Sequence, residues 1–130
     1  MKKIILSLVL ICGFQLSSFA QKVSTEEFEK KIKELPQAQL LDVRTPEEFA
    51  DGHLAGAKNL NIFDDDFAAK IEKLDKKKPV LVYCHSGGRS GEAYEALKKA
   101  GFTTVLDMKG GFSSWKKEGK KFETVAPAKK

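Results

Sequence analysis

The sequence predicts an α/β domain built on a mainly parallel sheet. Three observations predict it. Strand-like and helix-like segments alternate along most of the chain, the mark of βα units rather than hairpins. Pro79 to Tyr83 is a continuous apolar run, as expected of a parallel strand covered on both faces. The chain has 130 residues and is 42% apolar, the length of one domain and enough apolar surface for one core.

The elements can be justified in order. Met1-Lys2-Lys3 is a short positive region, and Ile4 to Leu16 is mostly apolar. Ser17-Ser18-Phe19-Ala20 then offers small residues where a signal peptidase reads them. Residues 1–20 are therefore expected to be a secretory signal peptide cut after Ala20. The apolar run falls short of the ~20 residues of a comfortable membrane span. An uncleaved anchor is the alternative. Ile11, not a small residue, precedes Cys12, which sets a lipoprotein reading aside. The expected location is periplasmic or secreted, with no stable membrane insertion after cleavage.

The mature domain is expected over residues 21–122. Val23-Ser24-Thr25-Glu26-Glu27 opens a helix, with Ser24 and Glu27 spaced as a capping box. Phe28, Ile32 and Leu35 share its apolar face and Pro36 marks its exit. Gln39 to Val43 is a short strand. Thr45-Pro46-Glu47-Glu48-Phe49 starts a second helix, with Thr45 as N-cap and Pro46 at the first helical position. Gly52 to Ala57 is a turn, and Asn59 to Ile62 is a candidate strand. Asp64-Asp65-Asp66 opens a third helix with Phe67, Ile71 and Leu74 on its buried face, acidic residues suiting the positive end. After the central strand, residues 89 to 100 carry Ala93, Ala96, Leu97 and Ala100 at helical spacing, with Gly101 as stop. Thr103 to Leu106 is a strand, and Gly110-Gly111-Phe112 leads into a last helix carrying Trp115. Residues 123–130 are expected to be a disordered basic tail.

Charge excludes more than it assigns. The formal net charge is +5, and about +3 remains once Lys2 and Lys3 leave with the signal. The lysine clusters, such as Lys76-Lys77-Lys78 and Lys116-Lys117, read as solvated turns. They lack the aromatic interleaving of a nucleic-acid surface, so no nucleic-acid partner is expected. A mild positive field does favour small anions. No spacing of His, Cys or carboxylates suggests a metal site, and no cofactor is expected.

The chemistry concentrates in Tyr83-Cys84-His85-Ser86-Gly87-Gly88-Arg89-Ser90. The central strand ends in a cysteine, and a glycine loop leads into a helix. Gly87 and Gly88 give the loop access to backbone conformations closed to other residues, so its N–H groups can form an anion nest. That nest and the helix dipole favour an exposed, reactive thiolate at Cys84. They would also favour an anionic adduct on its sulfur. Arg89 adds a positive charge suited to an oxyanion, and Ser90 can cap the helix or bond to the loop. The competing reading is an inert core cysteine. Loss of Cys12 with the signal would leave Cys84 as the sole thiol of an exported protein, which points to use rather than storage. His85 reads as an exposed loop residue more readily than as a general base. His53 reads as a turn-fixing residue, and Phe112 and Trp115 read as core.

Four motifs in order carry a family resemblance: Leu41-Asp42-Val43-Arg44 with Glu48-Phe49; Gly52-His53-Leu54-Ala55-Gly56-Ala57 with Asn59-Leu60; the Cys84 to Ser90 loop; and Gly110-Gly111-Phe112 with Trp115. The chain resembles a single-domain rhodanese over residues 24 to 118. The resemblance implies a three-layer fold with a five-stranded, mainly parallel sheet flanked by helices. It implies that Cys84 takes sulfane sulfur from a small anionic donor such as thiosulfate, becomes a persulfide, and passes the sulfur to cyanide or a thiol. A thiol-bearing protein is a further possible partner. His85, Ser86, Gly87, Gly88, Arg89 and Ser90 would bind the substrate, with Asp42 and Arg44 in support. The spacing Cys-x4-Arg matches sulfurtransferases, whereas related phosphatases carry Cys-x5-Arg, a loop wide enough for phosphate. Two alternatives stay open: a non-catalytic persulfide carrier or thiol-binding module and, more distantly, a phosphatase of the same superfamily.

Overall fold

The computed structural model describes residues 21–125. The expected signal peptide and residues 126–130 lie outside them. Ten elements follow one another: β1 (Lys22–Val23), α1 (Thr25–Glu34), β2 (Gln39–Asp42), α2 (Pro46–Asp51), β3 (Lys58–Asn59), α3 (Phe67–Glu72), β4 (Val80–Tyr83), α4 (Gly88–Lys99), β5 (Val105–Met108) and α5 (Gly111–Lys117). The five strands form one sheet in the order β1-β5-β4-β2-β3. Every pairing is parallel.

Central β4 is buried at all four positions, which explains its unbroken apolar run. Its side chains alternate between two cores. Val80, Val82 and Cys84 join Phe67 and Ile71 of α3 and Ala93, Tyr94 and Leu97 of α4. Leu81 and Tyr83 face the other way, against Phe28 of α1 and Phe112 and Trp115 of α5. A strand period of two feeding helices on both faces is what makes three layers.

Local signals act as expected at most boundaries. Glu27 N–H donates to Ser24 Oγ at 3.1 Å, capping α1. Thr45 forms the full reciprocal capping box with Glu48, and Pro46 sits in the first turn of α2. The third helix departs from expectation. It starts at Phe67, and its N-cap Asp66 makes no side-chain cap bond. Asp64 and Asp66 instead pair with Lys70 at 3.3 and 3.2 Å. The expected strand at Asn59 to Ile62 is shifted to Lys58–Asn59, although Leu60 N–H and Ile62 N–H still donate to Asp42 O and Val43 O.

Two strands at the β5 side of the sheet differ from the sequence reading. Strand β1 is too short to show periodicity and is held by pairing with β5. Strand β5 runs two residues further than expected and takes in Asp107, a buried charge within an otherwise apolar strand. At the other end, part of the expected tail is paired. His53 and Glu123 exchange backbone hydrogen bonds at 2.8 Å, and Val125 N–H donates to Ala50 O at 2.9 Å. Among the described residues, no helix is long and apolar enough to cross a membrane.

Candidate active site

In a parallel sheet the loops after the strands gather at one edge, where ligands bind. Here β2 ends in Asp42, β4 runs into Cys84, and β5 leads to the Gly110-Gly111 turn. The Cys84 loop is held from both sides. On one side, α5 offers its first N–H groups: Phe112 N–H donates to Cys84 O at 2.8 Å and Ser113 N–H to His85 O at 2.9 Å. That approach requires glycine at position 111. Its φ is +59°, and a Cβ there would stand 2.5 Å from Cys84 O and 2.6 Å from His85 O. On the other side, Gly87 turns the chain with φ +125°, a conformation closed to other residues. Its N–H donates to Cys84 Sγ at 3.0 Å. Gly88 does not share this role: it is the first residue of α4 and has nothing within 4 Å of a built Cβ.

The thiol is not exposed as the sequence suggested. Cys84 is 1% exposed and belongs to the core layer under α3 and α4. The reason is positional, since the side chain continues the inward face of β4. Cys84 Sγ–H donates to Ser90 Oγ at 3.3 Å, and the Ser90 hydroxyl donates to Gly87 O at 3.2 Å. Ser90 is itself fully buried. His85 and Ser86 are exposed at the loop tip.

Arg89 does not carry a free positive charge. Its Nη1 and Nη2 donate to Glu48 Oε1 and Oε2 at 2.6 and 2.9 Å, a bidentate pair of the strong class. The α2 capping box explains it. Thr45 holds Glu48 from the backbone N–H and the hydroxyl, which aims the carboxylate at the loop. The Arg89 guanidinium, and then the Thr45 backbone donor, hold the Glu48 carboxyl down at about 2 against the opposing effect of burial. Arg89 also lies 5.8 Å from the Phe63 ring, which is exposed.

Asp42 and Arg44, expected as supporting residues, form a buried ion pair. Asp42 and Arg44 are buried, and Arg44 Nε and Nη2 donate to the Asp42 carboxylate at 2.9 and 2.6 Å. Arg44 N–H donates to Asp42 Oδ1 at 3.0 Å, and Nη2 also reaches Gly52 O at 2.6 Å. The guanidinium packs 4.5 Å from the Phe112 ring centroid. The pair thus ties the end of β2 to the 52–54 turn and to α5, beneath the loop. Burial lowers the Arg44 pKa, but the Asp42 contacts outweigh it and the net direction is up. His53 stacks on Phe49 at 3.8 Å and its Nδ1–H donates to Phe49 O at 2.8 Å, a turn-fixing role.

Beside the loop lies a cleft of about 530 Å³ lined by Arg44, Glu48, His85, Phe112, Lys116 and Lys117, among others. The two lysines, read in sequence as solvated, bring positive charge to its wall. Two further residues escaped the sequence reading. Glu48 appeared only as part of a motif, and its contact with Arg89 spans 41 positions. Asp107 lay beyond the expected end of its strand. A charge inside an apolar run was the available signal.

The Rhodanese-like domain family matches residues 24–118. The chain is 42% identical over 89 residues to Thiosulfate sulfurtransferase 16, chloroplastic, of Arabidopsis thaliana, covering 61% of this chain and 74% of that protein. It is 33% identical over 114 residues to the Bacillus subtilis protein YqhL, covering 83% and 89%. A rhodanese-related protein from Thermoplasma volcanium superposes with TM-score 0.71 at 29% identity, covering 82% of this chain and 99% of that one. The loop, the sheet beneath it and these likenesses agree: the chain belongs to the rhodanese-like domain family.

Proposed function

We propose that the protein is a sulfurtransferase working through a Cys84 persulfide. The observation that carries this reading is the sulfur's setting: Sγ accepts Gly87 N–H and contacts Ser90 Oγ beneath a Cys-x4-Arg loop. A thiolate there gains charge-assisted hydrogen bonds. It attacks the outer sulfur of thiosulfate, the S–S bond breaks, and sulfite leaves with the electron pair. Cyanide or a thiolate then attacks the outer persulfide sulfur and regenerates the Cys84 thiolate. No proton transfer to His85 is needed.

Because Arg89 is paired with Glu48, attraction of the anionic donor falls to Lys116 and Lys117 on the cleft wall. Arg89 instead fixes the loop. Export is part of the same proposal: a cut after Ala20 leaves Cys84 as the sole thiol, and N-terminal sequencing of the mature protein tests it. The activity is tested by intact-mass measurement after thiosulfate treatment. A one-sulfur adduct that cyanide removes and that Cys84→Ser loses is the expected result. No adduct from any small donor would favour a carrier loaded by another protein.

A further inference from the structure

Asp107 is 1% exposed, and neither carboxylate oxygen has a hydrogen-bond partner. Leaving such a group buried is costly unless a partner appears in another state of the site. Its surroundings are few. Asp107 lies beside Val82 of β4 and Lys22 of β1 in the sheet register. Val105, two residues earlier, places this face of β5 in the layer of Cys84 and of α4, where Tyr94 also packs. Helix α1 packs on the opposite face, with Leu106 and Met108. The groups acting on Asp107 are Ser90 of α4 and, at the exposed edge, Lys22; Cys84 and Tyr94 belong to the core layer on the same side of the sheet. Burial pushes the Asp107 carboxyl above the ordinary range, and nearby Ser90 and Lys22 pull it partly back.

Ser90 explains the missing partner. With Cys84 as a thiol, the Ser90 oxygen accepts the S–H and its hydroxyl is turned to Gly87 O. Once the sulfur becomes an anion it can only accept. The Ser90 hydroxyl must then turn from Gly87 O to Sγ, and its oxygen, no longer accepting the S–H, has both lone pairs open to a donor. We propose that Asp107 is a positioning residue that, as a neutral acid, donates to Ser90 and so holds the Ser90 hydroxyl on the Cys84 sulfur anion. The proton balance is simple. One proton leaves Sγ for Ser90 Oγ as Ser90's own proton passes to the Asp107 carboxylate. Ser90 stays neutral, and one negative charge moves from an unpartnered buried carboxylate to a sulfur that accepts Gly87 N–H. Buried acids kept neutral as donors obey the same physics.

The inference rests on Cys84 acting as a nucleophile, but its test needs no sulfur donor. The rate of Cys84 alkylation by iodoacetamide is followed against pH by intact mass. Asp107→Leu replaces an unpartnered polar group with an apolar one of similar size, and such a change is tolerated by folding. It is expected to move the alkylation midpoint up by about one pH unit, or roughly tenfold slower at a fixed pH below the midpoint. Asp107→Asn, which keeps a donor toward Ser90, restores the wild-type midpoint. Ser90→Ala shifts it as far as Asp107→Leu, and the double variant shifts it no further. Asp107→Ala repeats the test if the leucine variant does not fold. An unchanged midpoint, a downward shift or additive shifts would each overturn the proposal. A downward shift would mean that Asp107 is ionised alongside the sulfur. If thiosulfate gives no adduct while these shifts appear, the sulfurtransferase reading fails and this inference stands; adduct formation without the shifts has the reverse meaning.

Discussion

Asp42→Asn is the sharpest test of what holds the site. Asp42 is 0% exposed and Arg44 2%, so the pair is screened by little solvent. The Asp42 carboxylate accepts from Arg44 N, Nε and Nη2 at 2.6 to 3.2 Å. Asparagine keeps one acceptor oxygen and places an N–H₂ donor against Nη2. Arg44 then stays buried as an uncompensated cation, which typically costs about 3–5 kcal/mol. That is a large share of the ~5–15 kcal/mol that holds a domain together. At this chain length each kcal/mol lowers Tm by roughly 3–5 °C, so a fall on the order of 10–20 °C is expected. Urea titration at neutral pH, with the slope compared to wild type, gives the free energy directly. The double variant Asp42→Val, Arg44→Met is expected to recover much of the loss, because an apolar pair needs no counter-charge. A single-variant loss under about 1 kcal/mol, or no recovery in the double, would refute the view that the buried charge pair anchors the loop.

Other outcomes follow from the same geometry. Gly111→Ala puts a Cβ 2.5 Å from Cys84 O at φ +59° and is expected to cost roughly 2–4 kcal/mol. Gly88→Ala meets nothing within 4 Å and is expected to be neutral or to stabilise by up to ~1 kcal/mol; thermal scans of the two separate them. Glu48 is held at about 2, below its ordinary 4.5, by Arg89. A depressed carboxyl adds stability above its unfolded pKa and loses it as pH falls toward the folded value. The acid limb of a stability-against-pH curve should therefore lose about 1 kcal/mol between those two values, allowing for partial exposure, and Glu48→Gln should flatten it. The same variant frees the Arg89 charge and is expected to speed thiosulfate adduct formation by roughly two- to tenfold, read by stopped-time mass measurement.

The sequence by itself determined the architecture and the place of Cys84 at the end of its central strand. Period-two and period-3.6 patterning, the Thr45-Pro46 start of α2 and the apolar run before Cys84 are local signals, and local signals are legible one residue at a time. Only the tertiary structure decided the electrostatics around the sulfur. Which cation stays free depends on groups far apart in the chain, and Glu48 claims Arg89 across 41 positions. The exposure of Cys84 depends on how β4 sits under α3 and α4. The role of Gly111 depends on α5 approaching the carbonyls of a loop 26 positions away. Asp107 shows the boundary most clearly: in sequence it is one charge among apolar residues, and only the packing of α4 over β5 buries it and brings it toward Ser90. Burial and pairing are properties of contacts, and contacts between distant residues exist only once the chain has folded.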